Sequence, residues 1–180
     1  DYRIPAQEYS GITLNASVTY DPNAQSVGAN DAKGVGATTV SGRGAVIQLA
    51  SDFGLEIGAG ITIEEDNGTN VAGSGGLTEE EAVTAYIKYA YGPISVGYQE
   101  AYKNAGHGSG TLGRDTSAEF MGVAYTAGDF TVSYGESSLI TEGNISNIVD
   151  PEIELNSLQA AYTMGAMTVA AAMSETTNAS

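Results

Sequence analysis

Residues 81–103, EAVTAYIKYAYGPISVGYQEAYK, alternate apolar and polar side chains on both sides of a single break. Val83, Ala85, Ile87 and Tyr89 share one parity, with Thr84, Tyr86 and Lys88 between them. After Gly92-Pro93, Ile94, Val96 and Tyr98 alternate with Ser95, Gly97 and Gln99. A period of two is that of a strand, whose successive side chains point to opposite faces. The Tyr91-Gly92-Pro93 connection is too short for a crossover, so the two strands are predicted to pair as an antiparallel hairpin. One face of that hairpin is apolar with Tyr, and the other is small and polar.

The same alternation recurs along the chain. The end of one strand is read before a turn from Pro5 to Ser10, and Ile12, Leu14, Ala16, Val18 and Tyr20 then alternate with polar residues. Ala45–Ser51 and Leu55–Glu64 form a hairpin about Asp52-Phe53-Gly54. In its second strand Leu55, Ile57, Ala59, Ile61 and Ile63 oppose Glu56, Gly58, Gly60, Thr62 and Glu64. Glu119–Thr126 and Phe130–Glu136 make another hairpin, with Val123, Tyr125, Phe130, Val132 and Tyr134 on the apolar parity and Phe120 breaking it. The last pairs Ser157–Thr163 with Met167–Ser174, placing Leu158, Ala160, Tyr162, Met167, Val169, Ala171 and Met173 on one side.

Between these hairpins lie long stretches rich in Gly, Asn, Ser, Thr and acidic residues, at 21–44, 65–80, 103–116 and 137–155. Such composition reads as loop. Connections therefore alternate short and long from one end of the chain to the other. Loops of that length are uncommon in compact domains, whereas a transmembrane β-barrel has short turns at one rim and long loops at the other. Strand length agrees, since ten residues at ~3.3 Å, tilted by ~45°, project to ~24 Å, close to the apolar band of such barrels. In the clearest strands the charges Glu56, Glu64 and Lys88 fall on the small polar parity. The fold expected is all-β, an antiparallel transmembrane barrel wall. The alternative is a β-sandwich that buries the apolar faces against a second sheet.

Composition narrows the function classes. Among 180 residues there are 24 Gly and 11 Tyr, and neither Cys nor Trp, which excludes disulfide frameworks and thiolate chemistry. With 22 acidic against 6 basic residues the formal charge is −16, and such a surface repels nucleic acid. No apolar run approaches the ~18 residues of a membrane helix, a test that says nothing about barrels. The first residues show no basic-then-apolar signal pattern, and both ends read as cuts in a longer chain.

Candidate chemistry is sparse. His107 sits in GHGSG without a carboxylate or nucleophile pattern beside it, and GHGSGTLGRD lacks the ending of a phosphate loop. EEDNGTN at 64–70 lacks the full spacing of a calcium loop, so no specific metal site is assigned. The Asn-x-Ser/Thr sequons at Asn15, Asn67, Asn144 and Asn178 matter only in a glycosylating secretory route. No Ser/His/acid constellation supports an enzyme.

The hairpins RIPAQEYSGITLNASVTY, IKYAYGPISVGYQE, MGVAYTAGDFTVSYGES and LQAAYTMGAMTVAAAM resemble those of general-diffusion porins, in particular the Gly- and Tyr-rich acidic porins of alphaproteobacteria. Each motif is weak by itself; four in order over nearly the whole chain are more specific. Such porins close with about 16 strands, so the nine full strands and the end of one more counted here imply a central-to-late segment, residues 1–180, without its first and final strands.

The resemblance implies a water-filled passage for small hydrophilic solutes and ions, no catalysis and no cofactor. It further implies a homotrimer in the outer membrane of a Gram-negative bacterium, bordered by lipid and lipopolysaccharide. Arg3, Asn15, Gln48, Glu56, Lys88 and Gln99 are the expected pore-lining residues, with Arg3 and Lys88 as wall cations opposite an acidic constriction. Acidic long loops could bridge lipopolysaccharide through weakly bound divalent cations or receive a phage or surface partner. The competing expectation is a soluble or surface-exposed β-sandwich adhesin or layer protein.

Overall fold

A computed structural model describes residues 1–24, 40–64, 79–104, 115–142 and 152–179. Ten strands build one antiparallel sheet in strict chain order: β1 (Tyr2–Tyr9), β2 (Ile12–Ala24), β3 (Val40–Ser51), β4 (Leu55–Glu64), β5 (Glu80–Tyr91), β6 (Ile94–Asn104), β7 (Asp115–Ala127), β8 (Phe130–Glu142), β9 (Glu152–Met164) and β10 (Met167–Ala179). The sheet is open, with β1 and β10 as its edges.

The short connections share one rim, and their chemistry explains their tightness. Ser10 and Gly11 both have positive φ, 51° and 79°, as a type I′ hairpin turn requires. Gly92, Gly128 and Gly165 have φ of 56°, 59° and 58°, and each is followed by one more linking residue, Pro93, Asp129 or Ala166, in the sense of a type II′ turn. The right-handed twist of the flanking strands suits both turn types. At Gly54 the backbone itself makes the demand: with φ at 91°, a Cβ there would lie 2.0 Å from the carbonyl oxygen of Ala90.

Several expectations need correction. The first strand runs to Tyr9, and its hairpin turns at Ser10-Gly11 rather than from Pro5 onward. Pro5 lies inside β1 at a register irregularity between Ile4 and Gln7, where its missing N–H interrupts no ladder bond. The ten strands agree with the nine full strands and one partial strand counted from the sequence, and β1, at 8 residues, is the shortest of them. Strands also run well into stretches read as loop: β2 continues to Ala24 past Pro22, at a second register shift, and β3 begins at Val40. Gly, Ser, Asp and Asn carry little strand propensity, so the pattern fades before the pairing does. His107, Asn67 and Asn144 lie outside the described residues.

Register assigns every strand residue to a face, because residues directly opposite in an antiparallel pair point the same way. On the apolar face one row reads Leu14, Leu49, Ile57, Ile87, Tyr98, Met121, Glu136. Tyr2, Tyr9, Tyr20, Tyr89, Tyr91, Tyr98, Tyr102, Tyr125, Tyr134 and Tyr162 all belong to this face, ten of the chain's eleven tyrosines. Phe120, whose parity the sequence left irregular, pairs with Gln99 and Ser137 on the polar face. That face is small: Lys88 is followed across the sheet by Gly97, Gly122 and Gly135.

Successive hairpins are staggered. The row through Ile94, next to its own turn, meets β7 at Tyr125 and β9 at Ala160, progressively further from their turns. Such a stagger is the shear that tilted strands need. The described residues form a single layer, and only Gly58 among them is buried.

Candidate functional site

The polar face carries one connected group of side chains, and three adjacent strands supply its centre. Glu56 on β4 pairs in register with Lys88 on β5, Gly58 pairs with Tyr86, and Gln48 on β3 stands opposite Gly58. Gly58 has no side chain, so the Tyr86 ring can lie across β4 toward β3; a Cβ on Gly58 would come within 2.3 Å of Tyr86 Cε1 and 2.6 Å of Cζ. The phenol thereby reaches groups two strands away.

Its hydroxyl donates to Glu56 Oε1 at 2.8 Å, and Gln48 Nε2 donates to the same oxygen at 2.9 Å. Gln48 Nε2 also donates to the Tyr86 hydroxyl at 3.0 Å, which closes a triangle of mutually satisfied groups. Asn15 on β2 extends the chain, its Nδ2 donating to Gln48 Oε1 at 3.4 Å. The Lys88 ammonium stands 3.8 Å from Glu56 Oε2, a loose pair in which the lysine side chain is 57% exposed and the glutamate 29%. Hydrogen bonds to a carboxylate from neutral donors are charge-assisted and stronger than neutral ones, so Tyr86 and Gln48 hold Glu56 more firmly than Lys88 does.

Of the six residues expected to line a passage, the structure places all on the polar face and brings four together: Asn15, Gln48, Glu56 and Lys88. Gln99, directly opposite Tyr86 on β6, bonds instead to Thr84, Nε2 to Oγ1 at 3.0 Å. Arg3 stands apart on the edge strand β1, opposite Ser17. Tyr86 falls outside those six, although it is the one tyrosine sharing a parity with Thr84 and Lys88. A second ion pair on this face joins Lys103 Nζ to Glu80 Oε1 at 2.7 Å. Beyond the polar group, Ser17, Val46, Gly60, Thr84, Ala101 and Ala118 line an open groove of about 790 Å³.

On the apolar face carboxylates begin where the aliphatic run ends, away from the turn rim. Tyr134 donates to Glu136 at 2.7 Å, and Tyr102 on β6 to Asp115 on β7 at 3.0 Å. Glu100 and Glu119 stand directly opposite one another, as do Asp115 and Glu142. Among the described residues no group of three or more acidic or histidine side chains is arranged to hold a metal ion.

No protein-family model matches the chain, and no curated protein or solved structure compared with it does either.

Proposed function

We propose that this sheet is part of the wall of an outer-membrane, porin-like channel through which small hydrophilic solutes and ions diffuse passively. The observation that carries the reading is the division of labour between the faces. Ten of eleven tyrosines and the aliphatic rows named above lie on one, while Lys88, Glu56, Asn15, Gln48, Gln99 and the strand glycines lie on the other. A barrel that meets lipid outside and water inside requires that division, with aromatic side chains where hydrocarbon meets water.

The carboxylates on the apolar face fit the same picture once strand tilt is included. From β2 to β8 the row starting at Leu14 crosses six strand steps and ends at Glu136. Six steps of ~4.8 Å carry it ~29 Å sideways, and a tilt of ~40° turns that into ~19 Å along the membrane normal. A row that starts near one edge of the ~25 Å apolar band therefore climbs most of the way toward the other, and Glu136 stands at its far end. A single layer with an apolar face this tall also favours a barrel over the sandwich, which would set a second sheet against it. In this reading the edges β1 and β10 are paired within a closed barrel, since unpaired backbone is not tolerated in lipid.

The channel carries out no chemistry and needs no cofactor. Its setting is the outer membrane of a Gram-negative bacterium, as a trimer bordered by lipid and lipopolysaccharide. The test is flux of small sugars and salts through the intact protein in reconstituted bilayers. Solute passage graded by size is expected, and a correctly assembled protein with no conductance would overturn the reading.

A further inference from the structure

We propose that Tyr86, seated over Gly58, is a positioning residue that holds the Glu56 carboxylate against the wall, and that the Tyr86–Gly58 pair thereby sets the ion preference of the passage. This inference rests on the channel reading and adds which residues govern the charge that a permeating ion meets.

Glu56 Oε1 accepts two bonds from neutral donors, the Tyr86 hydroxyl at 2.8 Å and Gln48 Nε2 at 2.9 Å. Gln48 is itself oriented by Asn15 at 3.4 Å, so the donors do not turn freely. Only Oε2 is left toward Lys88, at 3.8 Å. The ammonium is the more exposed partner, at 57% against 29%, and the positions next to it across the sheet are Gly97 and Gly122, which offer no side chain to cover it. At this level the wall therefore presents its cation and draws its anion aside. Rings of fixed charge bias which ions enter a pore, so releasing Glu56 must raise the preference for cations.

A space-filling role for Tyr86 predicts something different, because Phe fills the same volume over Gly58. Tyr86→Phe removes the hydroxyl alone. Gly58→Ala pushes the ring from its seat, since the added methyl would meet Cε1 at 2.3 Å.

The deciding measurement is the reversal potential of the intact protein in planar bilayers across a potassium chloride gradient. It is made for the parent chain, Tyr86→Phe, Gly58→Ala, Glu56→Gln and the Tyr86→Phe/Glu56→Gln double variant. We expect Tyr86→Phe and Gly58→Ala to shift the potential toward cations, Glu56→Gln to shift it toward anions, and the double variant to match Glu56→Gln. If Gly58→Ala does not assemble, Tyr86→Phe decides alone. An unchanged potential in Tyr86→Phe beside a shifted Glu56→Gln overturns the inference, as do additive effects in the double variant. A conducting channel indifferent to Glu56→Gln also overturns it, yet leaves the channel reading standing. A parent protein that does not conduct removes both.

Discussion

Gly58 bears no side chain where the ring of Tyr86 lies: a Cβ there would sit 2.3 Å from Tyr86 Cε1, and Gly58 is the one buried residue among those described. Overpacking of a well-fitted contact costs ~1–3 kcal/mol. Gly58→Ala should lower stability by about that much in urea unfolding of the folded protein. The same substitution made together with Tyr86→Ala should cost far less, because the ring it collides with is gone.

Val46 and Ile47 are neighbours of nearly equal exposure, 54% and 49%, on opposite faces of β3. A cation facing hydrocarbon at mid-depth costs ~2–4 kcal/mol, whereas one facing a wet lumen costs little. Ile47→Arg should impair membrane assembly, read as loss of the heat-modifiable folded band in electrophoresis. Val46→Arg should assemble normally. Equal effects would argue against lipid on one side and water on the other.

Two turn glycines separate conformational cost from collision. A Cβ on Gly92 meets nothing within 4 Å, so Gly92→Ala bears only the cost of a positive φ, ~1–2 kcal/mol. A Cβ on Gly54 meets the Ala90 carbonyl oxygen at 2.0 Å and carries the same φ penalty. Gly54→Ala should therefore be the more damaging of the two, measured as yield of folded protein after refolding into detergent.

Glu100 and Glu119 confront each other across β6 and β7. Like charges directly opposite destabilise a pair by an amount of order 0.2–1 kcal/mol. Glu119→Gln leaves the Tyr98–Glu100 bond in place and should raise thermal stability slightly at low salt. The gain should shrink as salt screens the repulsion.

The strands themselves were legible because period-2 alternation is a local signal, and the apolar parities assigned to Leu55–Ile63 and Val83–Tyr89 are those the register confirms. What the sequence hid is non-local. Pro5 reads as a turn residue until its bulge is seen, and the extensions at Ala24 and Val40 are held by pairing rather than propensity. The joining of Gln48 to Tyr86 spans thirty-eight positions and depends on a glycine between them in space, which no linear pattern encodes. A single tyrosine on an otherwise small parity, level with a glycine of the preceding strand, is the signal that could have pointed to it.

Because each short turn returns the chain to the rim from which it left, the natural unit of this architecture is the hairpin rather than the strand. Removing or adding one hairpin preserves the direction of every other strand and the facing of every other side chain, whereas a single strand would invert all that follow. In the channel reading, such a wall can change its circumference over evolutionary time in steps of two strands, and pore width becomes a trait adjustable by duplication without redesign of the remaining surface.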